Sequence, residues 1–287
     1  MELKGMIPPA VTPFDRDGNL DIEKHKREVE YLINYGIEGI GIAGSTGEGS
    51  ALSDEEIAEL ISATRSVAGD GMPVIGGVIR NSTIEAIRSA RVAREAGADA
   101  LLVTPVPYSG ATETGNIQYF SAIAEDSGLP IIVYNVVPTN PVSPALMSRI
   151  AEIPGVIGVK QIDCEMLVSM VIECGDKTRI YSATDEMLVG SYMAGAIGAI
   201  AAIVTVVPDL CVRQWEAYKE GDLREAESLQ RIIAPIVKSY ASRPFPGKVK
   251  ELINLQEGRD VGYPRAPVLP PEGEEKERIR TVMLAAR

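Results

Sequence analysis

Short apolar runs alternate with amphipathic segments along most of the chain. The runs are rich in β-branched and small residues, which is typical of buried strands. They lie at 8–14, 36–44, 73–79, 100–106, 130–137, 156–162, 178–183 and 196–203. Between them, apolar residues recur at helical spacing, as Ile57, Leu60 and Ile61 do. Apolar strands that alternate with helices predict an α/β fold with a parallel sheet covered by helices.

Capping motifs support the same assignment of strands and helices. Ser53 with Glu56, and Ser82 with Glu85, have the spacing of capping boxes at the start of two amphipathic segments. Eight strand–helix units predict closure into a (β/α)₈ TIM barrel over residues 1–222. An open doubly wound sheet is the alternative that the pattern alone leaves open.

Helical patterns continue after the eighth unit. They cover residues 223–242, 246–257 and 274–286, and a proline-rich stretch at 263–273 separates the last two. We expect residues 223–287 to form a C-terminal helical extension packed on the barrel, because no linker or low-complexity segment divides them from it.

Composition and charge narrow the possible partners. The chain has 287 residues, of which 45% are hydrophobic, with a formal net charge of −12 and a pI of about 4.8. Such an acidic chain repels phosphate backbones, so no nucleic-acid partner is expected. No signal peptide is recognisable, and no run reaches the roughly 20 apolar residues of a membrane span. Three scattered cysteines suit reduced thiols, which also favours a cytoplasmic protein.

The chain has a single histidine, His25, in the charged segment 21–30. We expect it to be a solvated helix residue. One histidine leaves no plausible Ser-His-Asp triad and no His-rich zinc site. Proton transfers in an enzyme of this composition would fall to Tyr, Lys, Asp or Glu.

Two glycine-rich stretches have the composition of ligand-binding loops. Gly39, Gly41 and Gly44 match a dinucleotide-binding spacing, but the next helix begins only near Ser53, so small residues filling a barrel interior are the better explanation. The segment GSTGEG at 44–49 is more informative. Its Ser45 and Thr46 hydroxyls and neighbouring N–H groups suit a carboxylate, and an ordinary polar loop is the alternative.

Lys160 lies near the end of an apolar run that is otherwise typical of a buried strand, and two orientations of its side chain are open. In VIGVKQID at 156–163, Gly158 and Lys160 share one face of the strand, while Ile157 and Val159 share the other. If the larger aliphatic residues face the helices, Lys160 points into the barrel mouth, with Gly158 below it leaving room. The other interpretation is a strand end whose lysine reaches water.

Tyr134 ends the preceding strand, so its hydroxyl is expected within reach of Lys160. Burial disfavours a charged amine, and a neutral amine can condense with a ketone. The resulting iminium withdraws electrons for C–C bond formation or cleavage, and Tyr134 could carry the proton. Core packing of the tyrosine ring is the alternative.

These stretches together resemble a known family, the dihydrodipicolinate synthase/N-acetylneuraminate lyase group of class I aldolases. The matching motifs occur in order along nearly the whole chain. They are PPAVTPFDRDGNLD, GSTGEGSALSDEE, VTPVPY, PIIVYNV, VIGVKQID and RPFPGKVKEL. The resemblance implies a (β/α)₈ barrel that needs no metal or organic cofactor, usually as a homotetramer, with a dimer as the other possibility.

The resemblance also implies roles for individual residues. Lys160 would be the Schiff-base lysine and Tyr134 the proton relay. Ser45 and Thr46 would bind the carboxylate of a 2-oxo acid, with Thr46 counted among the catalytic residues. Ile200 would offer a backbone carbonyl near the pyruvate portion.

Two departures from the synthase pattern bear on the substrate. The synthase branch has an arginine five residues after its strand-five tyrosine, where this chain has Thr139 followed by Asn140. The synthase also has paired tyrosines after Thr-Pro, where this chain has Val106 and Pro107, with Tyr108 one place further on. Tyr108 is therefore the candidate for the tyrosine that reaches a neighbouring subunit, although it lies one place further along the chain.

Other positions lean toward the neuraminate-lyase and sugar-acid branches. Ser45 replaces the usual threonine, and Asp185 and Glu186 could hydrogen-bond substrate hydroxyls, although an acidic pair at a helix start is an alternative. The further candidate contacts at the mouth are Thr139, Asn140 and Thr184.

We therefore expect a lyase that acts on pyruvate or a related 2-oxo acid in sugar-acid or 2-oxo-acid metabolism. One alternative is 4-hydroxy-tetrahydrodipicolinate synthase, and another is a barrel that binds an oxo acid without turnover. Aspartate semialdehyde is expected to react poorly unless Arg243 or a residue of another subunit replaces the missing arginine.

Overall fold

The computed structural model describes residues 3–286, which contain one eight-stranded parallel sheet with helices between its strands. The strands are β1 (Gly5–Met6), β2 (Ile40–Ile42), β3 (Val74–Val78), β4 (Ala100–Val103), β5 (Ile131–Asn135), β6 (Val156–Gln161), β7 (Arg179–Ser182) and β8 (Gly198–Ala199). The helices are α1 (Ile22–Ile33), α2 (Asp54–Ala68), α3 (Thr83–Glu95), α4 (Glu113–Ser127), α5 (Pro144–Ile150), α6 (Cys164–Cys174), α7 (Leu188–Ala194), α8 (Ala202–Val206), α9 (Pro208–Glu220), α10 (Leu223–Tyr240), α11 (Phe245–Asn254) and α12 (Gly273–Ala285).

The sheet curls into a barrel. Its strand order is β1-β8-β7-β6-β5-β4-β3-β2. Backbone hydrogen bonds join the two ends of that order, from the Gly41 N–H to the Pro8 carbonyl (2.9 Å) and from the Ala10 N–H to the Gly41 carbonyl (2.8 Å). The predicted (β/α)₈ TIM barrel is confirmed, and the open doubly wound alternative is excluded.

The first strand differs from its prediction. Regular pairing is confined to Gly5–Met6, whereas the predicted run at 8–14 makes only isolated bridges to its neighbours. The reason is local, because Pro8, Pro9 and Pro13 have no N–H to donate to a ladder. The other seven runs each contain a strand.

Apolar side chains form two layers, because successive strand residues point to opposite faces of the sheet. The barrel interior contains Leu3, Ile7, Ile75, Ala100, Leu102, Ile132, Tyr134, Tyr181 and Ile200. The larger outer layer lies between the strands and the helices, and Val133 and Val159 belong to it. The interior is therefore packed below the strand ends, and a ligand can enter only at the mouth.

The C-terminal helices share the outer core. Ile233 of α10, Leu252 of α11 and Ile279 of α12 are fully buried in the same apolar cluster as the barrel helices. These helices therefore share one apolar core with the barrel helices, and the division of the chain at residue 222 stays a prediction. Within residues 3–286, no helix is long and apolar enough to cross a bilayer.

His25 does not face solvent as expected. Its side chain is 1% exposed, and its Nε2 lies 2.8 Å from the Thr64 hydroxyl of α2. Burial lowers the pKa of the imidazole to about 4. The prediction of a solvated His25 is wrong. Its neighbours in the sequence are charged, but His25 itself lies on the side of α1 that packs against α2.

Burial of His25 predicts a specific loss of stability in acid. An unfolded histidine has a pKa of about 6.5, so between pH 6.5 and 4 the unfolded chain binds more protons than the folded chain. Stability from this group is present above pH 6.5 and is lost as pH falls toward 4. At pH 4.5 the loss amounts to about 2–3 kcal/mol. We expect His25→Gln to lose less unfolding free energy than the wild type between pH 7 and 4.5, measured by urea denaturation. Equal losses in both proteins would contradict this.

Candidate active site

Strands β5 and β6 bring two polar residues side by side at the barrel mouth. Tyr134 pairs with Lys160 in the parallel register. The Lys160 Nζ lies 4.1 Å from the centroid of the Tyr134 ring, and the Lys160 side chain is only 3% exposed. Val159 packs outward, so the predicted inward orientation of Lys160 is confirmed.

Gly158 has a different function from the one expected. A Cβ at this position would lie 2.7 Å from Tyr181 Cε2, so the glycine makes room for the Tyr181 ring. The Tyr181 hydroxyl donates to the Leu3 carbonyl (2.8 Å), away from the mouth. Tyr181 therefore fills the barrel interior beneath Lys160 and supports the floor of the site.

The loop after β2 approaches the same point. The Tyr134 hydroxyl donates to the Ser45 Oγ at 3.0 Å, which links β5 to the segment 44–49. Thr46 follows and is 2% exposed. A hydrogen-bonded pair of hydroxyls, those of Tyr134 and Ser45, thus lies at the same cavity as the Lys160 amine, and such a pair can accept and return protons.

This loop is held by residues far away in the sequence. Glu48 has a left-handed backbone conformation (φ 56°), and its carboxylate accepts from Lys250 Nζ (2.6 Å) and from the Arg265 N–H (2.9 Å). The Thr12 hydroxyl donates to the Gly47 carbonyl (2.6 Å). Burial lowers the pKa of Lys250 to about 8, with Glu48 opposing that shift. The C-terminal extension therefore fixes the backbone that presents Ser45 and Thr46.

A cavity of about 260 Å³ opens above these side chains. Its lining consists of Ser45, Thr46, Tyr134, Val136, Lys160, Ile162, Ala183, Asp185, Glu186, Ala202, Val237, Tyr240, Ala241, Arg243 and Phe245. Drug-sized ligands occupy pockets of roughly 300–1,000 Å³. The cavity suits small metabolites.

Asp185 and Glu186 follow β7 and differ in their surroundings. The Asp185 carboxylate accepts a hydrogen bond from the Tyr240 hydroxyl of α10. Burial raises the pKa of Asp185 to about 6, against the opposing effects of that hydrogen bond and of the Lys160 charge. Glu186 is exposed at the cavity edge. The two acids can therefore act differently, one inside the cavity and one at its rim.

Several other predicted contacts lie outside the cavity lining. Tyr108 is 88% exposed. The Thr139 hydroxyl donates to the Pro107 carbonyl (2.7 Å), and the Asn140 amide exchanges hydrogen bonds with Asn116 at 2.8 and 3.1 Å. These polar groups stabilise the loops after β4 and β5, and their contact with substrate stays a prediction.

Two further candidates are used by the fold itself. The Thr184 hydroxyl bonds with the hydroxyls of Ser182 (2.9 Å) and Ser191 (2.6 Å). Ile200 packs in the barrel interior, and its N–H donates to the Ser182 carbonyl (2.9 Å). Their roles toward substrate also stay predictions.

Five lining residues come from the C-terminal extension, and only Arg243 among them was named from the sequence, as a substitute for the missing arginine. They are Val237, Tyr240, Ala241, Arg243 and Phe245. The motif RPFPGKVKEL marked this segment as a family landmark, but periodicity cannot show that it folds over the barrel mouth. Within the described part of the chain, no group of three or more His, Cys, Asp or Glu side chains could hold a metal ion.

Known proteins are similar to this chain over nearly its whole length. A family model described as the dihydrodipicolinate synthetase family matches residues 2–286. The 4-hydroxy-tetrahydrodipicolinate synthase 2 of Halalkalibacterium halodurans is 30% identical over 284 residues, covering 98% of this chain and 97% of that protein.

Solved structures agree closely with the fold. A dihydrodipicolinate synthase from Bacillus anthracis has a TM-score of 0.94 at 29% identity, covering 99% of each chain. YagE, a prophage protein of the dihydrodipicolinic acid synthase family from E. coli K12, has a TM-score of 0.93 at 27% identity, covering 99% of this chain and 98% of its own. That structure is a complex with pyruvate. The match spans the barrel and the C-terminal helices alike, and this chain belongs to the dihydrodipicolinate synthetase family of pyruvate-dependent lyases.

Proposed function

We propose that this lyase joins pyruvate, held as a Schiff base on Lys160, to aspartate semialdehyde, the reaction of a 4-hydroxy-tetrahydrodipicolinate synthase. The observation that carries the chemistry is the buried Lys160 amine beside Tyr134 in a small cavity. The curated relative from Halalkalibacterium halodurans supports the second substrate by its name. This favours the synthase over the sugar-acid function that the sequence alone suggested.

The first half of the reaction forms the imine. The lone pair of the Lys160 nitrogen attacks the pyruvate carbonyl carbon, and Ser45 and Thr46 bind the carboxylate. Tyr134 receives the amine proton and delivers a proton to the carbinol oxygen, which leaves as water. The hydrogen bond to Ser45 keeps the Tyr134 hydroxyl oriented toward this position.

The second half uses the imine as an electron acceptor. Tyr134 accepts a proton from the pyruvate methyl group, which gives an enamine whose carbon attacks the aldehyde carbon of the second substrate. Tyr134 returns that proton to the new alkoxide. The substrate amine, after its own proton is lost, attacks the imine carbon and releases Lys160. The chain therefore supplies the lysine nitrogen and a proton carrier, and the substrate supplies the nitrogen that displaces Lys160.

A sugar-acid lyase is the second candidate, because Asp185 and Glu186 line the cavity and could bind substrate hydroxyls. Steady-state kcat/KM separates the two. With pyruvate saturating, we expect aspartate semialdehyde to react at least 10-fold more efficiently than glyceraldehyde, with products identified by mass. A preference for glyceraldehyde would instead support the sugar-acid function.

We also infer a cytoplasmic homotetramer. The family resemblance and the 88% exposure of Tyr108, on a loop at the barrel mouth, support contact with a second subunit. The thiols of Cys164, Cys174 and Cys211 are unpaired, which suits a reducing compartment. Sedimentation at micromolar concentration tests the assembly, and a monomer would contradict it.

A further inference from the structure

Arg243 brings a second cationic group to the cavity that holds Lys160. It lies in the exposed segment between α10 and α11. This segment is far in sequence from the loop after β5, where the synthase branch has its arginine. Glu186 lines the same cavity from the β7 side and is also exposed. Two charges of opposite sign thus border the mouth, outside the buried Lys160 and Tyr134.

Neither of these charges is used by the fold. Among residues 3–286, no hydrogen bond or ion pair involves the Arg243 guanidinium or the Glu186 carboxylate, and the two do not pair with each other. Asp185 provides the contrast, because the Tyr240 hydroxyl already bonds to its carboxylate. Arg243 and Glu186 are therefore available to a ligand.

The polar residues that line the cavity differ in their exposure. Ser45 and Thr46 lie beside Tyr134 and can take the carboxylate of the oxo acid bound to Lys160. Arg243 and Glu186 are the exposed charged residues of the lining, so a second molecule that enters from solvent meets them first. A guanidinium binds a carboxylate with two parallel hydrogen bonds, and a carboxylate binds an ammonium.

We propose that Arg243 binds the carboxylate and Glu186 the α-ammonium group of the second substrate, so that this subsite selects a zwitterionic amino-acid aldehyde. The proposal rests on the proposed function and makes it more specific. It also explains how this chain can bind a carboxylate although the neutral Thr139 and Asn140 stand where the synthase branch has an arginine. Arg243 supplies the positive charge instead.

Three aldehydes of one chain length test this assignment. Aspartate semialdehyde has both charged groups, succinic semialdehyde lacks the ammonium, and butanal lacks both. For each, kcat/KM is measured with saturating pyruvate on the wild type, Arg243→Gln, Arg243→Lys and Glu186→Gln. Lys238→Gln is the matched control, because it removes one exposed positive charge near the end of α10 outside the cavity lining.

Arg243→Gln and Glu186→Gln should change the preference between different pairs of aldehydes. Loss of a charge-assisted hydrogen bond to the substrate lowers kcat/KM by roughly 10- to 100-fold. We expect Arg243→Gln to reduce the preference for succinic semialdehyde over butanal by that factor, with partial recovery in Arg243→Lys. Glu186→Gln should reduce only the preference for aspartate over succinic semialdehyde. Lys238→Gln should change neither.

Other outcomes distinguish this inference from the proposed function. If the wild type converts aspartate semialdehyde efficiently and both substitutions leave its preferences unchanged, the subsite assignment is wrong and the synthase function stands. If the wild type traps pyruvate on Lys160 but prefers butanal to both acids, the assignment and the second substrate are both wrong. If it converts no aldehyde and traps no pyruvate, the imine mechanism fails as well.

Discussion

Replacing Lys160 with alanine is expected to abolish turnover to the limit of detection. The amine is the only group in the mechanism that bonds covalently to pyruvate, and no neighbouring side chain of the cavity can replace it. The fold should survive, because Lys160 is 3% exposed and its amine contacts the Tyr134 ring without a hydrogen bond among the described residues. Burying a polar amine without a hydrogen-bond partner costs free energy.

Two measurements make the Lys160→Ala result interpretable. Thermal unfolding should show a midpoint close to that of the wild type, so that lost activity is not lost structure. Lys160→Arg keeps a positive charge near Tyr134 but cannot form an imine under these conditions, so it should be equally inactive. Turnover by either variant within 100-fold of the wild type would contradict the covalent mechanism.

Removing the Tyr134 hydroxyl should have the second-largest effect. Tyr134→Phe keeps the ring against Lys160 and removes only the oxygen that donates to Ser45. We expect kcat to fall by roughly 10²- to 10⁴-fold, as for other positioned acid–base groups. This corresponds to about 3–5 kcal/mol of transition-state stabilisation. Imine formation should slow but remain detectable.

Tyr181→Phe is the matched control for this substitution. Tyr181 is also buried in the barrel interior, on the strand after Lys160, but its hydroxyl donates to the Leu3 carbonyl and does not line the cavity. Its loss should alter kcat by only a few-fold. If Tyr134→Phe and Tyr181→Phe have similar kcat values, Tyr134 is a packing residue and another group moves the proton.

Local patterns were sufficient to predict eight strand–helix units, and the family resemblance favoured a closed barrel over an open sheet. Alternation along β6 placed Lys160 inside and Val159 outside, because a strand has no other way to arrange successive side chains. Prolines shifted β1 to Gly5–Met6, which hydrophobicity alone did not show. His25 was misjudged because burial of one polar side chain depends on the helix packed against it.

The cavity was harder to predict than the fold. Lys160, Tyr134, Ser45 and Thr46 could be assigned because each follows or ends a strand at the barrel mouth. Arg243 was named only as one of two substitutes for the missing arginine, since a residue brought in by tertiary packing leaves no spacing signal near the strands. The neutral Thr139 and Asn140 after Tyr134 favoured a neutral subsite, whereas the folded chain presents the Arg243 guanidinium from the α10–α11 segment.

The central claim is that pyruvate forms an imine with Lys160, and borohydride reduction tests it most directly. The protein is incubated with pyruvate, reduced, digested and mapped by mass spectrometry, with a sample lacking pyruvate in parallel. We predict the mass gain of one reduced pyruvate per chain, located on Lys160 and absent from Lys160→Ala. An unmodified Lys160 after reduction, or an adduct on another lysine such as Lys250, would contradict the mechanism.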